Sequence, residues 1–113
     1  MSTTPAANLR LSVDLAGCDS KPELLQRMAI ALQFPAWFGH NWDALADCLC
    51  DLSWLPARRY TLELVHSQDL RHADPDTLHI LVEILAEAAA FWDAQGTGFD
   101  IVDLDDREQA ADA

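Results

Sequence analysis

Apolar and polar residues alternate at the start of the chain: Leu9, Leu11, Val13 and Leu15 are interleaved with Arg10, Ser12 and Asp14. This period of two predicts a strand with one buried face. Ala16-Gly17-Cys18-Asp19 breaks the alternation, and from Ser20 the period lengthens. Leu24, Leu25, Met28 and Leu32 then share one stripe of a helix that faces a core. Ser20 and Glu23 have capping-box spacing, and Pro22 sits in the first turn, where proline is tolerated. Pro35 biases Phe34 away from helical dihedrals and marks the end of that helix. Gly39 supplies a turn and Asn41 a favoured N-cap, so a second helix is expected to begin at Trp42.

Residues 53–59, with Pro56 and the pair Arg58-Arg59, read as a connection. Tyr60, Leu62 and Leu64 alternate with Thr61 and Glu63 as a second strand. Residues 67–72 are polar, with room for a short helical turn around Leu70. Asp74-Pro75 opens the longest helix, which runs to about Gln95. Leu78, Leu81, Val82, Leu85, Ala88, Ala89 and Trp92 form its stripe, widened by Ile80, Ile84 and Phe91, so this helix is expected to be mostly buried. Gly96 and Gly98 stop it, and Phe99, Ile101, Val102 and Leu104 read as a final strand. A helix-containing crossover between consecutive strands favours parallel pairing. The order strand, helix, helix, strand, helix, strand predicts an α/β fold with a small parallel sheet covered by helices. We expect one domain over residues 9–104, with residues 1–8 and 105–113 as disordered termini.

At 113 residues, half of them apolar, the chain suits one domain with its own core. Seven basic against nineteen acidic residues leave a net charge of −12. A field of that sign repels nucleic acid and anionic membranes and favours a cationic partner. Part of it is local: Asp100, Asp103, Asp105, Asp106, Glu108 and Asp112 face only Arg107 near the end, an arrangement typical of a solvating tail. The three cysteines, Cys18, Cys48 and Cys50, lack zinc-site spacing and read as reduced structural thiols. Residues 1–8 do not resemble a signal peptide, and no apolar run approaches the ~20 residues of a membrane span. A cytoplasmic protein is expected.

Candidate chemistry concentrates between Phe34 and Leu49. Projected at ~100° per residue, Trp42, Leu45, Cys48, Leu49 and Leu52 share one face of the second helix, while Asp43, Asp47 and Asp51 share the opposite one. Aspartates at this spacing repel one another by roughly 0.2–0.5 kcal/mol per pair. The helix N-terminus offsets this for Asp43 but hardly for Asp47 or Asp51. A solvated acidic face is the plain reading; a binding face is the other. Trp37 and Phe38 are adjacent in a loop, so both are not expected to enter the core. An exposed ring beside carboxylates has the anatomy of a hot spot for a basic partner; two packed loop anchors are the alternative. His40, beside the helix start, is a candidate contact. His40, His66, His72 and His79 lack metal-ligand spacing.

The run Pro35-x-Trp37-Phe38-Gly39-x-Asn41-x-Asp43-Ala44-Leu45-x-Asp47-Cys48-Leu49 resembles, without gaps, the signature of the barstar family, the intracellular ribonuclease inhibitors. The order of elements over residues 9–104 is similar as well. The resemblance implies a three-stranded parallel sheet with helices against it, and a function of plugging a basic ribonuclease active site. It implies that Asp43 and Asp47 meet the enzyme's arginines and lysines, with Asp47 the deeper anchor in place of the substrate's phosphate. Trp37 stands where the family uses a tyrosine that stacks on a catalytic histidine, and Glu87 matches a peripheral acidic contact. Ala46 replaces a tryptophan of the prototype and Asp51-Leu52 a Gly-Trp pair, with Trp54 nearby. Magnitudes for charge-steered association come in part from barstar and its ribonuclease, so they lend the resemblance no separate support.

The partner-binding candidates are therefore Trp37, Phe38, His40, Asp43, Asp47, Asp51 and Glu87. The expected partner is a basic protein, a ribonuclease, with no direct nucleic-acid or membrane binding. No catalytic residue, metal or cofactor is expected. Two alternatives stand beside this reading. One is a barstar-like module for a basic protein that is not a nuclease. The other is an enzyme in which Asp43 and Asp47 hold Mg²⁺ with a third oxygen donor, although no nucleophile–histidine motif, general base or phosphate loop accompanies them.

Overall fold

Three parallel strands in the order β1-β2-β3 form one sheet in a computed structural model that describes residues 7–105. The elements are β1 (Leu9–Asp14), α1 (Lys21–Leu32), α2 (Trp42–Leu49), β2 (Arg59–Val65), α3 (Ser67–Ala73), α4 (Pro75–Ala94) and β3 (Gly98–Asp103). The pairing is parallel because each strand-to-strand connection carries helices long enough to return the chain to the same end of the sheet. Leu11 lies beside Leu62 and Leu62 beside Ile101, so one apolar row runs across the sheet. Arg10, Thr61 and Asp100 form a neighbouring row on the opposite face.

Parallel sheets are usually covered on both sides. Here the clean alternation of β1 survives because the second face is polar and laced by ion pairs. Arg10 meets Glu63 at 2.9 Å and Arg59 meets Asp100 at 2.8 Å. Gly98 leaves room for Arg59, whose side chain would lie 3.0 Å from an added Cβ. The other face carries Leu11, Val13, Tyr60, Leu62, Leu64 and Phe99 into one core with Leu24, Leu25, Met28, Leu32, Leu45, Leu49, Leu81 and Leu85 from the helices.

α1 starts where the sequence places it. Ser20 accepts from the Glu23 backbone N–H at 3.5 Å, while the Glu23 carboxylate turns to Arg27 Nε at 3.0 Å. Arg27 also donates to the carbonyls of Asp14 and Ala16, tying α1 to the end of β1. α4 is capped as expected, with the Asp74 carboxylate accepting from the Thr77 N–H and hydroxyl.

Three expectations change. α4 is not mostly buried: Thr77, Leu78, Leu81, Leu85 and Ala88 are, but Val82 is 48% and Phe91 39% exposed. A helix on the outside of a small sheet has only one covered side, and the apolar stripe is wider than that side. The helical turn around Leu70 is a seven-residue helix, α3, whose first residues lack a local side-chain cap. Its N–H groups are satisfied from far along the chain, where Asp105 accepts from His66 N at 3.2 Å and Gln68 N at 3.0 Å. Asp105, assigned to a disordered terminus by sequence, is therefore buried and hydrogen-bonded. Asp103 likewise receives the Ser67 hydroxyl and Arg71, and Asp100 holds Arg59, so these three acids are structural rather than solvating. Residues 1–6 and 106–113, the remainder of the expected disordered termini apart from Ala7 and Asn8, lie outside the described residues. The Asn8 side chain accepts from the Thr61 hydroxyl at 3.3 Å.

Candidate partner-binding face

Five of the candidate residues, Trp37, Phe38, His40, Asp43 and Asp47, lie on the loop after α1 and on the α2 helix it leads into. α1 closes on Gln33, whose φ of 54° reverses the chain, and Phe34 N–H donates to Ala29 O. Pro35 then starts a tight turn closed by Phe38 N–H on Pro35 O at 3.0 Å. Successive side chains of that turn point apart, which divides the adjacent rings. Trp37 is 64% exposed, whereas Phe38 is 5% exposed and packs on Phe34 at 4.8 Å between ring centroids. Phe38, a candidate alongside Trp37, thus supports the loop from inside and offers no open ring face. His40 is exposed, with φ 52°, and its imidazole lies 4.7 Å from the Phe38 ring.

Asn41 joins this loop to the helix. Its side-chain oxygen accepts from Ala44 N–H at 2.8 Å, and its amide donates to Gly39 O at 3.2 Å. A Cβ at position 39 would stand 3.1 Å from that amide, so glycine lets the loop close on the first turn of α2. From this start, helical geometry directs Leu45, Cys48 and Leu49 inward and Asp43 and Asp47 to solvent. Asp51 falls just beyond α2, exposed, with its carboxylate accepting from Ser53 N–H at 3.3 Å. Among the described residues no hydrogen bond or ion pair engages the carboxylates of Asp43 or Asp47.

Glu87 is exposed on α4, the helix that packs against α2. The Trp92 indole donates to Leu49 O at 2.8 Å and pins the end of α2 to α4. The Cys50 thiol is held above its ordinary pKa by burial first, then by the charges of Asp47 and Glu87. Burial raises Cys18 and Cys48 as well, and all three cysteines are free thiols. Among the described residues, no three His, Cys, Asp or Glu side chains converge into a metal-binding group.

Two further aromatic residues belong here. Trp42, assigned by periodicity to the buried face, is half-buried, with Lys21 Nζ 5.1 Å from its ring centre. Trp54 stands edge-to-face with both Trp37 and Phe34. Neither contact has a signal in periodicity, because the partners come from different segments. Ala46 is half-buried, and Leu52, one of the departures from the family prototype, is buried with φ 51°.

A family model for barstar, the barnase inhibitor, matches residues 9–103. The chain belongs to the barstar family. The match covers every strand and helix described above, and the three parallel strands with helices against them agree with the barstar-like fold. A search among curated proteins gives no match. The barstar family is one of inhibitors rather than enzymes, and its members' partners are proteins. Among the described residues no helix is long and apolar enough to cross a membrane.

Proposed function

We propose that this protein inhibits a ribonuclease by binding and occluding its basic active site. The observation that carries the reading is a pair of solvent-facing carboxylates without internal partners, Asp43 and Asp47, on a short helix beside the exposed Trp37, in a barstar-family chain. The cost of desolvating such carboxylates is offset when a partner surrounds them with arginine and lysine donors, because charge-assisted bonds replace water. The Trp37 ring excludes water around those bonds, and Asp47 takes the place of a substrate phosphate. Glu87 and Asp51 extend the negative surface on either side, and His40 borders it. No bond is made or broken; inhibition is steric and electrostatic. Acting in the cytoplasm, such an inhibitor protects the cell that makes the enzyme, as an antitoxin does.

The test is capture. The tagged protein is exposed to extract and secreted protein of its own host, and whatever is retained is assayed for ribonuclease activity with and without added inhibitor. A basic ribonuclease that loses activity on titration is the expected result. Recovery of basic proteins with no nuclease activity would favour a module for another target, and Mg²⁺-dependent turnover by the purified protein alone would favour an enzyme.

A further inference from the structure

Trp37 projects from its turn with little to hold it. Among the described residues its indole N–H has no hydrogen-bond partner, and its ring meets that of Trp54 at 6.4 Å and 89°. Trp54, by contrast, is fixed from two sides. Its indole N–H donates at 2.9 Å to the carbonyl of Leu32, one of the last-turn carbonyls of α1 that have no intrahelical partner. Its ring stands at 87° to Phe34, 6.1 Å away. The connection between α2 and β2 sets Trp54 in this place: Asp51 accepts from Ser53 N–H, and Leu55 N–H closes a turn on Leu52 O at 2.9 Å.

We infer that Trp54 is a positioning residue for the binding face, holding the Trp37 indole in one orientation before a partner arrives. Edge-to-face contact is a preferred geometry for two aromatic rings, and an aromatic already restrained in the free protein loses less freedom on binding. The anchored ring of Trp54 thus transmits the rigidity of α1 to a side chain that is otherwise free to turn. Its effect falls on how long a partner stays rather than on how fast it is found, since steering by charge is unaffected. This inference rests on the proposed role of Trp37 in partner binding, but the orientation of Trp37 is measurable in the free protein.

The test uses the full chain labelled with 5-fluorotryptophan, with the Trp37 resonance assigned from the Trp37→Phe variant. In wild type the Trp54 ring current is expected to displace that resonance. Trp54→Ala and Trp54→Leu are expected to move it toward the free amino-acid position and to narrow it, while Trp54→Phe retains most of the displacement. Trp42 and Trp92 stay in place as internal controls. A lower melting temperature with an unmoved Trp37 resonance in both ring-less variants would reduce Trp54 to core support and overturn the inference. With barnase as the probe partner, dissociation of the ring-less variants is expected to be about three- to tenfold faster at unchanged association. Equal dissociation despite a moved resonance would overturn its bearing on binding. The two claims separate cleanly, because a wild-type protein that binds no ribonuclease would remove the proposed function without altering the fluorine spectrum.

Discussion

Asp43 and Asp47 stand one helical turn apart on α2 with no cation to offset them among the described residues. Like charges at that spacing cost roughly 0.2–0.5 kcal/mol, so the proposed face works against the stability of the free protein. Asp47→Ala is therefore expected to raise the unfolding free energy by a few tenths of a kcal/mol in a urea titration. A loss of more than about 1 kcal/mol would show instead that Asp47 supports the fold. Elsewhere the residue-scale electrostatics are structural. His66 bonds Asp14 at 3.1 Å, joining the ends of β2 and β1. The Asp14 bond raises the His66 pKa above 6.5, with the charges of Asp105 and Asp69 adding to it; the Ala16 N–H and then His66 lower that of Asp14 below 3.8. The stabilising effect of the raised histidine is complete below pH 6.5 and disappears as pH rises through its folded value. That of the lowered aspartate holds above 3.8 and disappears as pH falls through its own folded value. His66→Ala should thus destabilise more at pH 5.5 than at pH 8.5 in parallel denaturation series. A pH-independent difference would remove this pair from the account of stability.

At the scale of elements, α3 depends on a residue that follows β3. Asp105 is 37 positions from Gln68, whose N–H it receives, and no local side chain caps the helix. Replacing an N-cap acceptor by alanine typically costs ~0.5–2 kcal/mol, so Asp105→Ala should lower stability by about that amount. It should also speed amide exchange in α3 while leaving the middle of α4 protected. Uniformly faster exchange in both helices would mean that the cap serves the whole fold. This long-range cap also explains what the sequence could and could not reveal. β1, α1, α2 and α4 were legible because each is written locally, as alternation, as a stripe, or as a cap such as Ser20, Asn41 or Asp74. The length of α3 and the burial of Asp105 were not, because the bonds that fix them join distant segments. The outward row of Asp43 and Asp47 followed from helical spacing alone. That Trp37 and Phe38 would not both enter the core also followed from their adjacency, but which of them stays outside did not, since a turn rather than a periodic element separates them. Trp54 was visible as a residue but not as the neighbour of Trp37. The breadth of the α4 stripe misled because apolar residues such as Val82 and Phe91 remain exposed on an outer helix.

Over the whole molecule, the acids near the end of the sheet and those proposed for the binding face differ in how they are used. Asp100, Asp103 and Asp105 are used internally, by Arg59, by Arg71 with Ser67, and by the start of α3. Asp43 and Asp47 on α2 and Glu87 on α4 are exposed instead, and among the described residues none of the three forms an ion pair. The most direct test compares wild type, Asp47→Ala and Glu108→Ala as inhibitors of one captured ribonuclease. Removing one side of a buried charge pair costs ~2–5 kcal/mol or more, a range drawn partly from barnase and barstar themselves. Asp47→Ala should accordingly inhibit at least about 30-fold more weakly than wild type, with Glu108→Ala indistinguishable from it. Equal inhibition by the two variants would contradict the proposed face.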